Sequence, residues 1–117
     1  MDPSDATVRT LTQLRRGVLP HCVLAVLGSE ERYGFELVRV LSEDYDLATS
    51  EGTIYPLLSR LRKDGLVETT WRESGSGPPR RYYRRTPHGT KALRRFTEDW
   101  SSFRESVDAL LAAEGPR

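Results

Sequence analysis

A single cysteine among 117 residues rules out an internal disulfide and leaves no cysteine pair for a metal. Cys22 also falls among Val18, Leu19, Val23, Val26 and Leu27, on the apolar side of a helical pattern, where a thiol behaves as a small hydrophobe. Only two histidines occur, His21 and His88, and they lie far apart in the chain. With no glycine-rich phosphate loop, and with the carboxylates on predicted surfaces, nothing assembles a nucleophile, a base and a stabiliser, so no enzyme and no cofactor are expected. No apolar run approaches the ~18 residues that span a bilayer, which leaves no membrane role. Residues Met1 to Thr10 mix Asp2, Asp5 and Arg9 with small polar side chains and lack a secretory leader's apolar stretch, so the expected location is the cytoplasm. Internal repeats and low-complexity tracts are missing too.

What is present suits one compact domain plus an element that needs a partner. The net charge of +1 hides an uneven distribution. Between Arg60 and Arg95 eleven basic residues stand against Asp64, Glu68 and Glu73, a surplus of eight, so the remainder is seven negative. A basic segment in an otherwise acidic small protein is the electrostatic footprint of a nucleic-acid contact; a merely solvated surface is the alternative.

Helical spacing of three and four runs from Val8 to Leu27 and is interrupted by Pro20. Proline is tolerated best in a first turn, which predicts a lead-in helix to about Arg16 and a first core helix opening near Leu19 and ended by Gly28 and Ser29. A second helix is predicted over about Tyr33 to Asp44, with Leu37, Val38, Leu41 and Tyr45 on one face. Thr49 or Ser50 then caps a third, whose stripe is Ile54, Leu57, Leu58 and Leu61 and whose stop is Gly65; Pro56 predicts an irregular first turn. Leu66 to Arg72 and Arg80 to Thr86 read as a hairpin around a Ser/Gly/Pro loop. Thr86 and Pro87 open a last helix with Leu93, Phe96, Trp100, Phe103, Val107 and Leu110 at intervals of three and four. That alternation is a heptad seam with more apolar stripe than so small a domain covers, so it predicts pairing with a second copy.

The fold class expected is therefore mainly α with a small β-hairpin. A lead-in helix (1–18) is followed by a winged helix-turn-helix domain (19–86) and a long dimerisation helix (87–113). In that arrangement the third helix enters the major groove of duplex DNA and the hairpin reaches alongside. Tyr55, Ser59 and Thr53 supply hydroxyls, and Arg62 and Lys63 supply cations for phosphates. Glu51 either accepts from a cytosine amine or favours the positive helix N-terminus. Tyr33 sits at the second helix's N-terminus, where backbone N–H groups suit a phosphate, although packing explains it equally. In the wing, Arg80 and Arg81 lie nearest the tip, while Arg84 and Arg85 read as structural or surface charges. The candidate DNA-binding set is Tyr33, Ser50, Thr53, Tyr55, Ser59, Arg62, Lys63, Arg80 and Arg81.

Four stretches carry a family resemblance. They are Tyr-Gly-Phe-Glu-Leu (33 to 37), Gly-Thr-Ile-Tyr-Pro-Leu-Leu-Ser-Arg-Leu (52 to 61), Asp-Gly-Leu-Val (64 to 67) and Arg-Arg-Tyr-Tyr-Arg-Arg-Thr-Pro-His-Gly (80 to 89). Together they cover most of Leu19 to Gly89 and resemble the PadR family of transcriptional regulators, in particular its smaller members with one C-terminal dimerisation helix. The resemblance implies a homodimeric repressor on a two-fold-related operator, often near its own gene, released by a small molecule or another signal. Two positions depart from the family's pattern: Arg85 precedes Thr86 where an apolar residue is usual, and Gly77-Pro78-Pro79 stiffens the wing.

Two further readings stand beside this one. A winged helix that only binds another protein is distinguished by salt, since phosphate contacts weaken steeply with it and an apolar interface does not. At the dimer seam, Trp100 and Phe103 are either a site for a planar aromatic or apolar effector or plain seam residues filling the interface.

Overall fold

The structure is a computed structural model that describes residues 3–28 and 30–114. Met1, Asp2 and the expected helix stop at Ser29 lie outside the described residues. The first helix, α1 (Pro3–Val26), runs straight through Pro20, where the sequence predicted a break. Proline inside a helix costs about 3 kcal/mol in a lost hydrogen bond and a clash. The neighbouring Leu19, Val23, Leu24 and Leu27 are all buried, at roughly 1.5–3 kcal/mol each, and their sum wins. The expected boundary between residues 18 and 19 thus falls within one continuous helix.

A two-residue strand, β1 (Arg32–Tyr33), leads into α2 (Gly34–Arg39), which widens into a π-helical turn over Val40–Asp44. Leu37, Val40 and Leu41 are buried. Tyr45, predicted on the same face, is 65% exposed. The wider turn changes the phase of the residues after it, and the Leu47 N–H returns to the Leu41 carbonyl at 2.8 Å, so that Leu47 packs on the core in its stead.

α3 (Glu51–Lys63) begins after Ser50 and buries the predicted Ile54, Leu57, Leu58 and Leu61. It is helical throughout, without the irregular start predicted from Pro56. That ring projects from an exposed position, and four buried aliphatic residues on the other side hold the helix in register. Gly65 stops it at φ +76°, a left-handed conformation that glycine adopts without a Cβ clash.

β2 (Val67–Arg72) and β3 (Arg80–Arg85) form the predicted hairpin. β1 adds a third, antiparallel strand on the far side of β3, giving the order β1-β3-β2. Two residues show no alternation to read, so this strand is not legible in the sequence. Cross-strand partners share a face, which puts Tyr83 and Val67 on the core side and Tyr33, Thr70 and Tyr82 on the other.

The chain turns from β3 into α4 (Pro87–Glu114) at Thr86, whose hydroxyl donates to the Gly65 carbonyl at 2.7 Å and accepts from the Gly89 N–H at 3.0 Å. Gly89 is buried so close to the Leu66 carbonyl that a Cβ there would overlap it. The result is mainly helical with a small three-stranded sheet, a winged helix-turn-helix followed by one long helix. A chain of this length packs to a radius of gyration of about 13 Å when compact, and this one reaches 17.0 Å because α4 projects beyond the domain. Among the described residues, no helix is long and apolar enough to cross a membrane.

α1 and α4 meet through a face-to-face stack of His21 on Phe96, with ring centroids 3.9 Å apart and planes 3° from parallel. Burial pushes the His21 pKa below its ordinary 6.5, because the imidazolium is the form that loses hydration. A depressed folded-state pKa gives stability that is present above about 6.5 and lost as pH falls through the folded value. Thermal unfolding followed by circular dichroism should show the melting temperature falling between pH 7 and pH 5. His21→Phe, which keeps the stack and removes the proton site, should flatten that fall.

Candidate nucleic-acid interface

One face of the protein gathers the outer side of α3, the start of α2 and the wing. On α3, Tyr55, Ser59, Arg62 and Lys63 are exposed, in keeping with their place opposite the buried stripe. Tyr55 is held from one side: its ring lies over Gly34 at the start of α2, where any Cβ would collide with it. That shelter, with smaller contributions from the neighbouring Glu51, Tyr83 and Tyr33, pushes its phenol above its ordinary value of 10.0. The hydroxyl is therefore a neutral donor and acceptor at physiological pH.

Thr53 stands apart from this group. Two residues before Tyr55, it lies about 160° round a helix of 3.6 residues per turn. Its hydroxyl accepts from Ser50 Oγ at 3.3 Å, and both residues border a cleft against α1. The candidate residues of α3 are thus divided, with Tyr55, Ser59 and Arg62 turned toward α2 and Ser50 and Thr53 toward α1.

The wing divides its basic residues in the same way. On its outer face, the Arg80 guanidinium lies 4.6 Å from the Tyr33 ring centroid, Tyr33 meets Tyr82 edge-on at 5.4 Å, and Arg72 lies 4.9 Å over Tyr82. Tyr33 is thereby part of a packed aromatic row, and its N–H is engaged by Glu36 Oε1 at 3.2 Å. On the opposite face Arg81 lies 4.9 Å over the exposed Trp71. Arg80 and Arg81 share the tip end of the hairpin but point to opposite sides of it. At the tip, Ser74 Oγ donates to the Pro78 carbonyl at 2.7 Å, and Gly75 takes φ +60°.

Farther from the tip the arginines are structural. Arg84 pairs with Glu68 at 2.6 Å. Arg85 turns inward, donating to the Leu24 carbonyl at 2.9 Å and to Thr90 Oγ1 at 3.0 Å, and the strand continues through it. Arg72 binds Glu31 at 2.8 Å, and Arg32 lies 3.6 Å from Glu30. These pairs engage Glu30, Glu31 and Glu68. Among the described residues Arg62, Lys63, Arg80 and Arg81 make no ion pair, so a positive field remains on the third helix and the wing. Trp71 and Arg72 were missed by sequence reasoning, although pairing Arg72 with Arg80 across the 73–79 loop places both beside the tip.

The seam residues also separate. Leu93 packs on its own domain's core and Phe96 stacks on His21, so these two are engaged within the chain. Trp100, Phe103, Val107 and Leu110 are 39%, 63%, 37% and 72% exposed. A groove of about 820 Å³ runs between α1 and α4, lined by Leu11, Leu14, Phe96, Trp100, Phe103 and Val107. Trp100 and Phe103 lie in it with centroids 6.3 Å apart. Among the described residues no cluster of histidine, cysteine or carboxylate groups could hold a metal ion.

Comparison with known proteins agrees with this geometry. The sequence model of the transcriptional regulator PadR-like family matches residues 23–95. The crystal structure of a PadR family transcriptional regulator from Eggerthella lenta is 37% identical, covers 92% of this chain and 94% of its own, and superposes with a TM-score of 0.85. A transcriptional regulator of Mycobacterium tuberculosis is 33% identical over 104 residues, 89% of this chain and 92% of that protein. The PadR of Bacillus subtilis, crystallised with operator DNA, shares the fold at 22% identity and a TM-score of 0.65, over 68% of this chain and 46% of its own.

Gly34→Ala tests the seating of Tyr55. Only the end of a rotatable side chain obstructs the new methyl, so stability should change by less than about 1 kcal/mol. The ring should swing outward, and the alkaline titration of Tyr55, followed by NMR on ring-labelled tyrosine, should shift back toward 10.0.

Proposed function

Because the chain belongs to the transcriptional regulator PadR-like family, we propose that it is a sequence-specific DNA-binding regulator, a homodimeric repressor released by a small molecule or another signal. The family is one of regulators, which accords with the expectation that the chain is no enzyme. The observation that carries the reading is the set of cations without an ion pair among the described residues on the third helix and the wing: Arg62 and Lys63 at the end of α3, and Arg80 and Arg81 on the two sides of the wing's tip. Phosphates would neutralise them, while Tyr55 and Ser59 meet base edges in the major groove. Bacillus subtilis PadR binds operator DNA in its crystal structure, and the same class of ligand is proposed for this chain. Such a regulator works where the chromosome is, in the cytoplasm.

The dimer rests on α1 and α4. Leu11, Leu14, Trp100, Phe103 and Val107 leave an apolar groove between α1 and α4, and a second copy would close it. A two-fold dimer would set its two third helices on half-sites about 10 bp apart or a multiple of that. A planar apolar effector would fit between Trp100 and its counterpart in the second copy.

Fluorescence anisotropy with a duplex from upstream of the gene, against a scrambled duplex at two salt concentrations, tests the DNA reading. Tight, salt-sensitive preference for the upstream duplex is expected. Arg80→Ala with Arg81→Ala should weaken both duplexes alike and lower the salt slope by about 0.9 per lost phosphate contact. Tyr55→Phe should alter the preference between duplexes; uniform weakening would remove its reading role. Equal, salt-independent binding would point to a protein partner instead. Light scattering should give wild type twice the 13.3 kDa of one chain, and Phe103→Glu a single-chain mass.

A further inference from the structure

On the flank of α3 turned away from Tyr55, a cleft of about 490 Å³ opens between α1 and α3. Arg15, Arg16 and Arg60 line it, Arg15 bordering the groove between α1 and α4 as well, and no carboxylate lines it. Among the described residues none of the three forms an ion pair or a hydrogen bond to a side chain. The face that carries the wing behaves differently, since arginines there are paired with Glu30, Glu31 and Glu68. Three like charges around one concavity repel one another unless something negative lies between them.

The remaining wall has the complementary chemistry. The cleft borders the start of α3 through Ser50 and Thr53, where the helix dipole is positive. Ser50 makes no side-chain capping hydrogen bond there. Thr49 borders the same cleft, and its hydroxyl is closed off from solvent and has no hydrogen-bond partner among the described residues. Leu19 and Leu57 form an apolar floor, which strengthens electrostatic attraction above it.

We propose that this cleft is a binding site for a phosphate-class oxyanion, held by Arg15, Arg16 and Arg60 at the start of α3. Guanidinium forks match phosphate oxygens two at a time, and the volume admits a group the size of a small phosphorylated molecule. Two sources share that chemistry, a backbone phosphate of bound duplex and a free phosphorylated metabolite. The first source rests on the DNA-binding reading; the second does not.

The test uses the full chain, with Arg16→Gln/Arg60→Gln as the disabling variant and Arg94→Gln, an exposed arginine outside the cleft, as the control. Calorimetric titration with sodium pyrophosphate at fixed ionic strength comes first, without DNA. Saturable binding to wild type and the control, weakened at least tenfold in the double variant, identifies a free anion. Absent such binding, a salt slope for the upstream duplex that falls by about 0.9–1.8 in the double variant, and not in the control, identifies one or two backbone phosphates. Arg16→Lys/Arg60→Lys should restore the slope, because charge alone releases counterions, and only partly restore pyrophosphate binding, because the fork is lost. Equal pyrophosphate binding by both proteins, or no binding together with an unchanged slope, overturns the site. If wild type binds no duplex at all, the DNA reading fails and pyrophosphate alone decides the cleft. Thermal melts of the variants should match wild type, since the substituted side chains are exposed and make no ion pair among the described residues.

Discussion

One joint fixes how the third helix, the wing and the long helix stand to one another. The Thr86 hydroxyl bridges the Gly65 carbonyl and the Gly89 N–H, and the Thr86 N–H returns to the Leu66 carbonyl at 3.1 Å. The end of α3, the start of β2, the end of β3 and the start of α4 therefore meet within one small network. Two glycines make it possible, Gly65 by its left-handed turn and Gly89 by leaving room for the Leu66 carbonyl. Arg85 extends the joint to α1 through Leu24, placing a cation among the carbonyls at that helix's C-terminal end, where the dipole favours it. The position where the family's usual apolar residue is missing thus carries a clamp between three elements. An apolar side chain there would bury without bonding either partner.

That clamp also sorts the arginines. A surplus of basic residues in the second half of the chain says little by itself, because a guanidinium can hold the fold together or wait for a ligand. Arg85 is committed inside, Arg84 and Arg72 to carboxylates, and Arg80 and Arg81 only to aromatic faces. Exposed ion pairs add little stability, about 0–1 kcal/mol each. Their larger consequence is to cancel charge on the sheet, while Arg62, Lys63, Arg80 and Arg81 keep theirs.

Much of this was legible in the sequence because strong periodicity outlasts local disturbance. Ile54, Leu57, Leu58 and Leu61 identified the third helix despite Pro56, and the Thr86-Pro87 pair located the start of α4. The differences have two physical causes, tertiary burial overriding a local signal and a local change of helical phase. Pro20 looked like a boundary because its cost is local, while the burial of Leu24 and Leu27 against α3 and the sheet is not visible from α1 alone. Tyr45 was assigned to a face by counting at 3.6 residues per turn, and the π turn broke the count. The strand period of two, by contrast, already sends Arg80 and Arg81 to opposite faces, as the register has them.

The continuity of α1 matters most for regulation. Its apolar residues Leu11 and Leu14 border the open groove with α4, and its next turn carries Arg15 and Arg16 onto the cleft beside α3. A break at Pro20 would have uncoupled both surfaces from the core-anchored end of the helix. In one unbroken helix they are a turn apart, and Leu19, Val23 and Leu24 then anchor the same rod in the core that seats Ile54 and Leu58. A ligand or second copy that shifted α1 at the groove would therefore displace the wall against which the start of α3 rests. Because packed interiors resist continuous deformation, such a shift would reach the third helix as a change of position rather than be absorbed between them.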